Sequence, residues 1–166
     1  MSESDFELVQ DITDLIDDAY YYADLYCDWT EAEDEDGTVT ETACLGSEVI
    51  YQKVSNNIEG ELHSFTVTCD YESDTGDSVN GSWSYSAEYE DYAEYLAGTA
   101  DCCNAYVTET YGLSAVLNEE AYTLDLTFSY TETWSEDGYS IIYTSSTLKL
   151  NGTSLQGYEA YMNEEV

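Results

Sequence analysis

Residues 122–130 read Tyr-Thr-Leu-Asp-Leu-Thr-Phe-Ser-Tyr. Tyr122, Leu124, Leu126, Phe128 and Tyr130 alternate with Thr, Asp and Ser, the period-two signature of a strand with one buried face. Downstream, Glu136-Asp137-Gly138 opens a second strand-like run over 139–150, and its Asp-Gly pair favours a tight hairpin. Upstream, runs at 38–44 and 47–54 pair through a turn near Gly46, and runs at 62–71 and 79–87 flank a turn at Asp74–Gly76. Together these runs predict a mainly antiparallel sheet over 38–158. Two short helices are expected to interrupt it, at about 88–97 and 99–111, the second stopped by Gly112.

The N-terminal segment has the other period. Residues 4–27, SDFELVQDITDLIDDAYYYADLYC, place Phe6, Val9, Ile12, Ile16, Ala19, Ala23 and Tyr26 at helical spacing. Ser4 is the expected cap, with Glu7 three residues on completing a capping box. The opposite face carries Glu7, Asp11, Asp14, Asp17 and Asp18, and no lysine stands four residues from any of them. Each like-charge pair then costs about 0.2–0.5 kcal/mol, so the helix forms because its apolar face packs. Asp28 follows, then the acidic turn Glu31-Ala-Glu-Asp-Glu-Asp-Gly37. The expected fold class is α+β, one domain over 1–166, with a long acidic helix and one or two short helices packed on an antiparallel sheet.

Charge narrows the function more than the elements do. The 166 residues include 37 Asp plus Glu against two cations, Lys53 and Lys149, with no Arg, for a formal net charge of -35. Duplex DNA carries one charge per ~1.7 Å of axis, so this charge matches roughly 60 Å of duplex. A compact domain of this length spans only about 30–40 Å. Direct binding of nucleic acid or of an anionic membrane is excluded, because no basic patch can be assembled. Aromatic residues at 14 % separate the chain from a disordered acidic tail. No apolar run approaches a membrane span, and the acidic start is unlike a signal peptide, so a cytoplasmic location is expected. Cysteines 27, 44, 69, 102 and 103 are odd in number and include an adjacent pair, which suits a reducing compartment better than a disulfide framework.

None of the familiar chemistry-bearing motifs is complete. Placing Gly37, Gly76 or Gly138 sixth in a calcium loop puts Ala32, Tyr71 or Thr133 first, so the acidic turns lack the ligand pattern. Cys102–Cys103 has no metal-clamp spacing, and His63 has no neighbouring ligand in sequence. Glycines stand singly at turns, not in a phosphate-cradling loop. The expectation is a non-enzymatic protein with no cofactor and no metal. Most of the 18 tyrosines are expected to pack the sheet, with some bordering the acidic surface.

Glu7, Asp11, Asp14 and Asp18 step three or four residues each, which is roughly 5–6 Å per step along a helix and close to the spacing of phosphates along a strand. The candidate partner-binding set is Glu7, Asp11, Asp14, Asp17, Asp18, Asp28, Glu31, Glu33, Asp34, Glu35 and Asp36, with Glu90, Asp91 and Glu94 beside the next helical segment.

This composition resembles that of the DNA-mimic inhibitors of phages and mobile elements, of anti-restriction and anti-CRISPR type and including uracil-DNA glycosylase inhibitors. The resemblance covers the whole chain and is compositional. It implies a stoichiometric inhibitor that fills the nucleic-acid groove of a basic host defence protein, such as a CRISPR-Cas effector or restriction enzyme. A homodimer would lengthen its acidic face. The rival expectations are a halophilic protein and an extracellular acidic binding domain without mimicry.

Overall fold

A computed structural model describes residues 1–58 and 61–165; the sheet expectation at residues 59 and 60 lies outside the described residues. Helix α1 spans Glu3–Tyr26 and is followed by β1 (Asp28–Glu33), β2 (Thr38–Leu45), β3 (Glu48–Ile58), β4 (Glu61–Glu72) and β5 (Ser78–Glu90). A one-turn helix α2 (Tyr92–Leu96) leads to β6 (Cys102–Leu117), β7 (Glu120–Ser135), β8 (Gly138–Leu150), β9 (Thr153–Leu155) and helix α3 (Tyr158–Glu165). The nine strands form one antiparallel meander in which each pairs with the next in sequence. The class is α+β, with a long N-terminal helix and short helices beside a large antiparallel sheet.

Helix α1 lies across β2 to β6. Phe6, Val9, Ile12, Leu15, Ile16, Ala19 and Ala23 are buried against Val67, Cys69, Val79, Leu113, Leu124 and Leu126 of the sheet. Burying each large side chain is worth about 1.5–3 kcal/mol, which outweighs the like-charge repulsion on the outer face. Tyr26, expected in the buried stripe, is exposed: it is the last residue of α1, and its ring packs on Tyr22. The cap is Ser2, not Ser4: the Ser2 hydroxyl accepts from the Asp5 backbone N–H, and Asp5 completes the capping box with the Ser2 backbone. Helix α3 closes on the same side, with Tyr158 buried between Phe6 and Phe128.

Two expected helices are corrected. Residues 99–111 fall mostly in β6, which pairs with β5 from Ser78↔Val116 to Glu90↔Asn104 and with β7 along its whole length. Cys103, Ala105, Val107, Leu113 and Ala115 share its buried face. Long ladders on both sides, with Val, Thr and Tyr in the strand, override the local helical reading. The helix expected over 88–97 is only Tyr92–Leu96, because 88–90 still belong to β5. The acidic turn is also divided: Glu31–Glu33 continue β1, and the turn proper is 34–37.

At Gly81 strands β5 and β6 approach closely. The glycine's φ is +146, and a Cβ there would lie 2.1 Å from the backbone oxygen of Gly112 on β6.

Candidate acidic interface

Glu7, Asp11, Asp14 and Asp18 stand on the outward face of α1, opposite its buried stripe, and all are exposed. Asp17 stands on the flank between the row and the sheet, where a small hollow is lined by Thr13, Asp14, Ile16, Asp17, Trp83 and Tyr111. The Asp14 carboxyl is pushed above the usual carboxylate range, first by partial desolvation and then by the charges of Asp17, Asp11 and Asp18. Asp17 is raised for the same reasons, desolvation first and then Asp18. Neither has a cation to relieve it. Lys53 faces Glu41 across β2–β3 and lies 4.8 Å over the Phe65 ring, and Lys149 faces Asp125 across β7–β8.

The second acidic group reaches α1 through one strand face. Glu31 lies opposite Glu41, and together with Tyr20, Asp24 and Trp29 they line a hollow of about 280 Å³ between α1 and the β1–β2 hairpin. Glu33 shares that face by strand alternation, whereas Asp28 points to the other. Glu35 and Asp36 are exposed at the turn. Asp34 is exposed too, but it also holds the turn together, because its Oδ1 accepts from the N–H groups of Asp36 and Thr38 at 2.9 and 3.0 Å.

Glu90, Asp91 and Glu94 do not join this surface. They sit at and beyond the end of β5 remote from Ser78, where α2 packs on β6. Glu90 accepts a hydrogen bond from the Tyr106 hydroxyl. Asp91 adopts a left-handed conformation, φ 60, where the chain leaves the sheet for α2.

The sheet surface turned away from α1 is unlike the rest of the molecule. Thr66, Ser84, Thr110, Thr127 and Thr147 face one another across five strands, and Ser64, Ser86, Thr108, Ser129 and Ser145 form the next row. Thr108–Ser129 and Thr110–Thr127 are hydrogen-bonded at 3.0 and 3.1 Å. Acid is thus concentrated on α1, the first hairpin and the strand ends, while the middle of the open face is neutral.

One carboxylate that the sequence pattern placed in a helix proves central. Glu109 lies on the α1 side of β6, where Trp83 Nε1 and the Tyr111 hydroxyl donate to Oε2, both at 2.9 Å, and the Tyr130 hydroxyl donates to Oε1 at 2.8 Å. The only sequence signal was its place in step with Val107, Tyr111 and Leu113. Tyr21 and Leu25 escape a charge-based reading for a different reason. They continue the three-and-four spacing of the acidic row, yet are not acidic.

Among the described residues, no cluster of three or more His, Cys, Asp or Glu is arranged to hold a metal ion. The five cysteines are free thiols. No described helix is long and apolar enough to cross a membrane. Comparison of the chain with protein-family models, curated proteins and solved structures finds no match in any of the three.

Proposed function

We propose that the protein is a nucleic-acid mimic: it binds a basic nucleic-acid-binding protein of host defence and occupies the groove that would otherwise hold DNA. The observation that carries this reading is the exposed row Glu7–Asp11–Asp14–Asp18 on a rigidly packed helix, with no cation opposite it. The mechanism is electrostatic. Carboxylates spaced like phosphates meet the lysines and arginines of the groove and displace their counterions. Oppositely charged fields speed the encounter at low salt. Because α1 is already fixed by its apolar face, little ordering entropy is lost on binding.

Competition against DNA tests this reading. A labelled DNA duplex bound to restriction and CRISPR-type effectors is challenged with the protein and with two charge-reversed variants. One variant carries Asp11→Lys, Asp14→Lys and Asp18→Lys; the other carries Glu88→Lys, Asp137→Lys and Glu164→Lys. Wild type should displace duplex, the row variant should fail, and the scattered variant should retain most activity. Equal losses in both variants would reduce the effect to bulk charge and remove the mimic reading.

A further inference from the structure

The acidic row runs into an apolar end. After Glu7, Asp11, Asp14 and Asp18, the same spacing on the same face of α1 brings Tyr21 and Leu25. Tyr21, Leu25 and Tyr26 are 65, 73 and 64 % exposed, and Leu45 and Val49, from the β2–β3 hairpin, are 43 and 48 % exposed. Burying one such side chain is worth about 1.5–3 kcal/mol, so a group of five left in solvent marks a surface that something covers.

These residues are not scattered. Tyr21, Leu25, Tyr26 and Leu45 wall a cleft of about 730 Å³ with Tyr22 and Tyr71. Tyr22 holds Tyr26 and Tyr71 with ring centroids 5.0 and 5.3 Å away, so the wall is built of packed rings, not loose side chains. A second hollow of about 410 Å³ shares Tyr22, Leu45 and Tyr71 and extends the cleft toward Val49. The rim is acidic: Asp18 on the helix side, Glu72 and Asp74 on the β4–β5 side, and Glu48 and Asp70 at the extension. Neither lysine reaches it, since Lys53 lies over Phe65 and Lys149 opposite Asp125. An apolar, tyrosine-rich centre within a charged rim is the anatomy of an interface hot spot.

We propose that this cleft is the anchoring pocket for a basic partner protein. It takes one aliphatic or aromatic side chain from a partner segment whose flanking arginines or lysines meet Asp18, Glu72 and Asp74. Charge selects this occupant. A second copy of the chain would bring two acidic rims together, whereas a basic segment neutralises the rim as the pocket closes. The proposal rests on the basic-partner reading above and adds to it that affinity is concentrated at the C-terminal end of α1, with the carboxylate row steering and aligning.

The probes are synthetic peptides with the same set of arginines and one varied central residue, Leu, Trp, Gly or Ser. Their affinities are measured by calorimetry for wild type and for the double variant Leu25→Ser/Leu45→Ser, whose two sites are exposed. Wild type should bind the Leu and Trp peptides about tenfold more tightly than the Gly peptide. In the double variant that preference should vanish while Gly-peptide affinity is unchanged. Equal, salt-sensitive binding of all four peptides to wild type would overturn the pocket and leave the basic-partner reading standing. Failure of every peptide to bind at low salt would remove both. A wild-type dimer that the double variant abolishes would assign the cleft to a second copy and overturn the proposal.

Discussion

At the scale of single residues, the absence of arginine explains the use made of tyrosine. A partly buried carboxylate needs donors, and elsewhere guanidinium groups supply them. Here phenols do: Tyr111 and Tyr130 donate to Glu109 and Tyr139 to Glu132, and the exposed Glu90 and Glu120 likewise accept from Tyr106 and Tyr122. Burial comes first in pushing the Tyr111 and Tyr130 hydroxyls above the usual phenol range, followed by the charge of Glu109 and the hydrogen bond to it. The phenols therefore stay protonated and stay donors. Replacing Glu109 with Ala leaves Trp83 Nε1 and both hydroxyls without their acceptor, which should cost about 3 kcal/mol. Glu109→Gln keeps an acceptor oxygen and should cost less. Urea midpoints of the two variants measure the difference; an Ala variant as stable as wild type would show that water replaces the carboxylate freely.

At the scale of elements, α1 and the sheet hold together for different reasons. The helix has an apolar stripe, a Ser2 cap and unrelieved charge outside. The sheet has ladders of up to 16 residue pairs, as between β6 and β7, and hydroxyl rows on its open face. At Gly81 β5 and β6 approach too closely for a side chain. Gly81→Ala would drive a methyl into the Gly112 carbonyl and impose a backbone angle that L-residues rarely adopt. A loss of about 2–4 kcal/mol is expected, read as a lower melting temperature. Gly112→Ala is the control: a Cβ there meets nothing within 4 Å, so its effect should be small. Similar losses at both glycines would contradict the steric account.

For the whole molecule, the net charge of -35 is the dominant long-range force. Both lysines are placed opposite a carboxylate, Glu41 or Asp125, so neither relieves the α1 row. The raised carboxyls of Asp14 and Asp17 turn this into a pH dependence. With folded values above unfolded ones, the native state binds more protons. Stability should therefore rise as pH falls from 7 through the raised range, then level off below the unfolded value of about 3.9. Asp5 opposes this, because its hydrogen bonds with Ser2 lower its carboxyl and that contribution is lost in acid. At the alkaline end, unfolded tyrosines ionise near ~10 while Tyr111 and Tyr130 resist, so stability should fall above that pH. Salt should stabilise, since at ~0.15 M the screening length is ~8 Å. Denaturation curves across pH and salt check the profile, and stability unchanged between neutral and mildly acidic pH would refute the charge-strain account. The same curves separate mimic from halophile: a mimic unfolds cooperatively at physiological salt, whereas a halophilic chain has no folded baseline below molar salt.

Local pattern was sufficient for much of the fold. The register of α1 was legible because helical period alone decides which side chains share a face, and the acidic row followed from the same rule. The hairpins around Gly46, Asp74–Gly76 and Asp137–Gly138 were legible because turn residues punctuate alternating runs. β6 was not: Glu109 interrupts its apolar face, and only its pairing with β5 and β7 makes a strand of it. The acidic surface was partly legible. Spacing placed Glu7 to Asp18 together, but whether Glu90, Asp91 and Glu94 joined them depended on the direction in which β5 leaves α1. The cleft lay beyond any local reading. Leu25, Leu45 and Tyr71 come from a helix end and two separate hairpins, and only the packing of α1 across the sheet brings them side by side.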